Sequence, residues 1–209
     1  MKIALAVVFI AFLLPALVYD RLPQQIPSHF NMQGEVDGYT AKPWGAFLMP
    51  LTMAFVVAIF AALPRISPKG YEIDPRSRAF SAFLLATLVV LLFVHVATLL
   101  VALGYAVPTN VLLPLFLGAM FAALGNYLTK VPRNFFIGIR TPWTLADEDV
   151  WYRTHRIGGR TFVVAGLLLM VIGPFLRGDA VPVFAGVVIA AAAAIPLVYS
   201  YVTYRKDHP

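Results

Sequence analysis

The chain's 209 residues are 60% hydrophobic and only 12% charged; a soluble globular domain carries roughly a quarter charged residues, so bilayer is the expected solvent. With no cysteine, disulfides and thiolate metal sites are excluded. The net charge of +6 does not imply nucleic acid, because the lysines and arginines border apolar runs instead of forming a basic domain.

A helix needs about 20 apolar residues to cross a bilayer, and a charge at its centre costs about 2.5 to 3.5 kcal/mol, so charge-free runs mark the crossings. The first lies between Lys2 and Asp20. Its end, Ala16-Leu17-Val18-Tyr19, lacks the small residues at alternate positions that a signal peptidase requires, and the run is expected to be retained as a helix. The second lies between Lys42 and Arg65, and the stretch from Ala79 to Thr129 is long enough for two. Gly104, Pro108 and Asn110 supply a turn between that pair. The last two lie between Arg160 and Arg177 and between Asp179 and Arg205. The reading is an all-α polytopic membrane protein, one membrane domain over residues 1–209, with six spans kinked at Pro15, Pro50, Pro114, Pro174 and Pro196.

Of the 16 basic residues, all but Arg21, Lys42 and Arg177 fall on one set of alternate connections. Positive charge is retained on the cytoplasmic side, so both termini and the loop over residues 130–160 are expected inside and the loop over residues 20–42 outside. Trp44, Trp143 and Trp151 fall at expected membrane edges, half buried and half wet.

The outer loop carries Pro23 and Pro27, which favour an extended start, and Gly34 and Gly38, which permit turns around Glu35 and Asp37. It is expected to form a compact ordered cap. His29, Asn31, Glu35 and Asp37 match no metal-ligand spacing, and no metal is expected.

In the inner loop, Thr144 followed by Asp147 has the form of a capping box, with acidic residues in the first turn and Arg153 and Arg156 in the last. The predicted helix lies along the headgroups until Gly158-Gly159 turns it into the fifth span. Trp151 and His155 share one face, and Asp149 and Arg153 form an i,i+4 pair on another. Arg140, between Gly138 and Pro142 in an apolar segment, requires a backbone carbonyl, a carboxylate or a lipid phosphate. Within the third span, His95 is a candidate proton relay, but no Asp or Glu occurs inside any span; a neutral histidine bonded to a neighbouring helix is the favoured reading. No motif of a hydrolase or phosphate loop occurs, and neither catalysis nor a cofactor is expected.

The run Leu22-Pro23-Gln24-Gln25-Ile26-Pro27-Ser28-His29-Phe30-Asn31, with Gly34, Glu35, Asp37 and Lys42, resembles the outer module found near the start of bacterial SdpI-family proteins. Gly125-Asn126, Asn134, Gly138, Arg140-Thr141-Pro142-Trp143-Thr144-Leu145, Trp151 and Thr154-His155-Arg156 resemble that family's cytoplasmic signature. The resemblance implies a multi-pass protein of the bacterial cytoplasmic membrane that gives immunity to a secreted antimicrobial peptide. It also implies a possible second partner, a small DNA-binding autorepressor captured at the inner face. On that reading Pro27, His29, Phe30, Asn31, Gly34, Glu35 and Asp37 engage the toxin. Asn126, Asn134, Gly138, Arg140, Thr141, Pro142, Trp143, Trp151, His155 and Arg156 engage the cytoplasmic partner. A rival reading is a transporter of lipid or small molecules, since the two three-span halves repeat helix, long loop, helix, helix with opposite orientation.

Overall fold

The computed structural model describes residues 1–31 and 36–208. Among these residues six helices are long and apolar enough to cross a membrane. In chain order the elements are α1 (Lys2–Val18), strands β1 (Gln25–Phe30) and β2 (Val36–Ala41), then α2 (Lys42–Ile66), α3 (Arg78–Ala102) and α4 (Thr109–Leu128). The short α5 (Pro142–Ala146), α6 (Glu148–Ile172) and α7 (Ala180–Asp207) complete the chain. Large apolar side chains point away from the protein along these helices: Ile3, Phe9 and Leu17 on α1, Phe55 on α2, Val183, Val187 and Val198 on α7. In water such a surface would drive aggregation; against acyl chains it is solvated. The protein is a multi-pass membrane protein.

The helices form two groups of three. Ala4, Val8 and Ala11 of α1 interlock with Met53 and Val57 of α2 and with Leu84 and Leu88 of α3. In the second group α4 runs antiparallel to α6, backbone against backbone. A Cβ on Gly118 would lie 2.5 Å from the Gly166 carbonyl oxygen, and one on Gly125 would lie 2.6 Å from that of Gly159. Two glycine pairs, two turns apart, thus bring the helices into contact where larger residues would hold them off. α7 closes the group against α6.

Prolines interrupt α1, α2, α4 and α7 at Pro15, Pro50, Pro64, Pro114 and Pro196. Pro174, expected to kink a span, instead stands in the 3-10 turn Gly173–Phe175 that ends one. Each internal proline removes the N–H that the carbonyl four residues earlier would accept. Two of these carbonyls are met from neighbouring helices: the His95 ring nitrogen Nε2 donates to Ala11 O at 3.0 Å, and the Thr161 hydroxyl lies 3.0 Å from Ala192 O. His95 is therefore bonded to an adjacent helix through the carbonyl that Pro15 frees.

The fifth span departs from expectation. α6 starts at Glu148, about three turns before Arg160, and runs straight through Gly158-Gly159. Those glycines do not turn the chain. Gly159 faces Gly125 of α4, and Gly158 lies against Ile139 and Leu128. The expected capping box between Thr144 and Asp147 is also replaced. Thr141 and Thr144 form a reciprocal box on α5, while Asp147 separately caps α6 by accepting from the Val150 N–H at 2.8 Å. Arg153 pairs with Asp207 at the end of α7 rather than with Asp149.

The two long connections lie at opposite ends. The β-hairpin packs on the C-terminal end of α1, the start of α2 and the end of α3, through Leu22, Ile26, Ala46 and Leu99. At the other end Leu63, Ile73 and Phe80 of the first group meet Val131, Ile137 and Trp151 of the second. The Arg153–Asp207 pair brings the chain's C-terminal end there too.

Candidate functional site

At the hairpin end, a two-stranded sheet is marginal alone and needs a helix beneath it. Ile26 is fully buried and supplies the contact, and Gly45 at the start of α2 allows it: a Cβ there would sit 2.7 Å from that of Ile26. Gln25 pairs with Ala41 and Pro27 with Tyr39, but His29 pairs with Gly38 and Phe30 with Val36. Ser28 and Asp37 are thus extra residues on their strands, compensating bulges that re-aim side chains. The His29 ring nitrogen Nδ1 lies 2.5 Å from the Asp37 carboxylate, and both groups are exposed. Asn31 follows at the end of β1; Gly34 and Glu35 lie outside the described residues. Beneath the hairpin is a cavity of about 270 Å³. Pro27 and Thr40 line it from the strands, Leu48 and Met49 from α2, and His95 and Thr98 from α3. The hairpin and the intramembrane histidine, singled out separately in the sequence, share one site.

At the other end, residues 129–147 form a folded cap ordered by buried polar groups. The Asn134 amide donates to the carbonyls of Pro132 and Ile137 at 2.8 and 2.9 Å, and its oxygen accepts from the N–H groups of Phe136 and Ile137. The Trp151 indole donates to Val131 O at 2.9 Å, and its ring stacks on His155 with centroids 4.0 Å apart. His155 Nδ1 lies 2.8 Å from Trp151 O, so it must donate; Nε2 accepts from the Ile139 N–H at 3.0 Å. One neutral tautomer satisfies both bonds. Gly138, at φ +118°, passes so close that a Cβ would lie 2.3 Å from His155 Nε2. Thr141 reaches the Ser200 hydroxyl of α7 at 3.1 Å, and Thr144 donates to Ile139 O.

Several expected docking residues are therefore internal. Asn134, Thr141, Trp151 and His155 are all at most 5% exposed and are spent on the cap's own bonds. Trp151 is a core residue and not a membrane-edge one, because its indole N–H finds a carbonyl inside the protein. Asn126, Arg140, Pro142 and Arg156 remain exposed, and Trp143 is half-buried edge-on against Tyr201. Arg140 finds its partner in a backbone carbonyl, Phe135 O at 2.6 Å. Tyr71 and Arg133, which carry no motif in the sequence, both donate to Leu145 O while Arg133 stacks over the Tyr71 ring. The partners are 74 positions apart for Tyr71, and no local pattern signals them. On the exposed connection before α3, Glu72 is held below the usual carboxylate range, chiefly by the Gly70 N–H.

Comparison with known proteins divides the chain along the same lines. Residues 130–200, spanning the cap, α6 and most of α7, match the SdpI/YfhL protein family, and residues 6–54, spanning the hairpin and its flanking helices, match a domain of unknown function, DUF1648. Immunity protein SdpI of Bacillus subtilis (strain 168) is 28% identical over 205 residues, 98% of this chain and 95% of that protein. No solved structure matches. The cap, the hairpin and the six spans thus fall within one continuous alignment to an SdpI protein, and the cap with the two helices after it carries the match to the SdpI/YfhL family.

Proposed function

We propose that the protein is an integral-membrane immunity protein that protects a bacterium from a secreted antimicrobial peptide. The observation that carries this is the end-to-end likeness to an immunity protein, which takes in hairpin and cap together. The distribution of basic residues supports an outward hairpin and an inward cap. The exposed His29–Asp37 pair and the cavity behind it are the surface an arriving peptide meets first.

The test is survival. Sensitive cells expressing the chain, challenged with the peptide against which the Bacillus subtilis protein gives immunity, should survive at least tenfold better than cells with an empty vector. Equal killing, with the chain verified in the membrane, would refute the assignment.

For a repressor captured at the inner face, the surface that supports docking is the exposed rim of Asn126, Arg140, Pro142, Trp143 and Arg156. The transport reading draws on the two three-helix groups, whose long loops lie at opposite ends. Their loops fold differently, one as a hairpin and the other as a polar-bonded cap, and proteoliposome flux tests that reading.

A further inference from the structure

The cavity beneath the hairpin combines a size, a lining and, in His95, one acceptor nitrogen on a lining residue. At about 270 Å³ it falls just below the usual range of small-molecule pockets, the scale of one ring system. Apart from two histidines its lining among the described residues holds no ionisable group, so an unpaired charge would be disfavoured there. His95 is 1% exposed, and its Nε2–H is committed to the Ala11 carbonyl. In the neutral ring the other nitrogen, Nδ1, can then only accept. Complementarity therefore asks for an apolar ring that brings one hydrogen-bond donor.

We propose that this cavity receives an indole or phenol side chain of the peptide toxin, with its N–H or O–H donated to His95. This rests on the immunity reading. A peptide suits the site better than a lipid for two reasons. An acyl chain offers no donor to His95, and a two-stranded sheet leaves an open edge on each strand where a peptide backbone can add hydrogen bonds.

The experiment uses the full chain in lipid nanodiscs with isotope-labelled histidine. Indole is titrated against indene, which keeps the ring framework but replaces N–H with CH2. The expected result is a saturable shift of the His95 ring-nitrogen resonances with indole, at least tenfold tighter than with indene. Thr98→Phe, which fills the cavity one turn from His95, should abolish it; Met49→Phe does the same from α2 should the first variant fail to insert. Equal responses to indole and indene would mark an apolar niche for acyl chains and overturn the proposal, as would an unaltered response in the filled variants. Survival assays separate the two readings. If the filled variants protect as well as the parent, the cavity inference falls and immunity stands. If the parent itself fails to protect, immunity falls, and the peptide occupant falls with it.

Discussion

His95 shows how one nitrogen of a ring can serve the fold. Ala11 O has lost its helical donor to Pro15, and an unsatisfied carbonyl in hydrocarbon is costly. His95 supplies the missing donor from α3. If that is the main structural role of the ring, His95→Leu should destabilise the protein in detergent, and the same change in a Pro15→Ala background should do so less, because the restored backbone N–H gives the carbonyl back its partner. The coupling expected from thermal unfolding of the four proteins is about 0.6 to 1.7 kcal/mol. At the inner cap, Asn134→Ala leaves the buried carbonyl and N–H of Ile137, and the part-buried Pro132 carbonyl and Phe136 N–H, without their partner and should cost about 3 kcal/mol. Asn134→Asp, which keeps the acceptor, should recover part of that loss. The sequence made His95 conspicuous because a polar residue among valines stands out. Trp151 was misread for the converse reason, since an indole near a span boundary looks interfacial until Val131 O, 20 positions away, is known to be its acceptor.

Among the elements, α4 and α6 show what periodicity alone leaves illegible. The spans were legible from charge-free length, and the turn at Gly104 (φ +88°) from its punctuation. The pairing of Gly118 with Gly166 and of Gly125 with Gly159 was not, because a glycine signals a turn and a close helix contact equally well. Gly158-Gly159 was accordingly read as a break, although α6 continues through it. Gly166→Leu should force the helices apart and lower stability by about 2 to 3 kcal/mol, read by thermal unfolding in detergent. Gly186→Leu on α7, where an added Cβ meets nothing within 4 Å, is the matched control and should change little.

For the molecule as a whole, six spans in the cell membrane followed from composition, but the hairpin did not. Residues 25–41 interleave prolines, glycines and polar groups without a strict alternation of apolar and polar types, and the bulge at Ser28 breaks the burial period of β1, although β2 keeps its own. Sidedness can be read directly because the chain has no cysteine. Tyr39→Cys on the hairpin should react with an impermeant maleimide in intact cells, and Arg140→Cys on the cap only after permeabilisation. The opposite pattern would invert the proposed orientation. At the cap rim, Arg140→Ala should weaken capture of a cytoplasmic partner at least tenfold in pull-downs while leaving insertion unchanged, since Arg140 is exposed and bonds Phe135 O within its own loop.

The short turn between α3 and α4 carries a practical corollary. Residues 103–108 are the sole covalent link between the two groups, which are otherwise joined by α3 packing on α4, with Phe93 stacked on Phe116, and by apolar contacts at the far end, where Ile73 and Phe80 meet Ile137 and Trp151. A gene cut there would yield two inserting fragments, each with three greasy helices and one intact matched region, able to find one another in the bilayer. Such a divided protein would let hairpin and cap be swapped independently between relatives, so that a functional difference between them could be traced to one fragment.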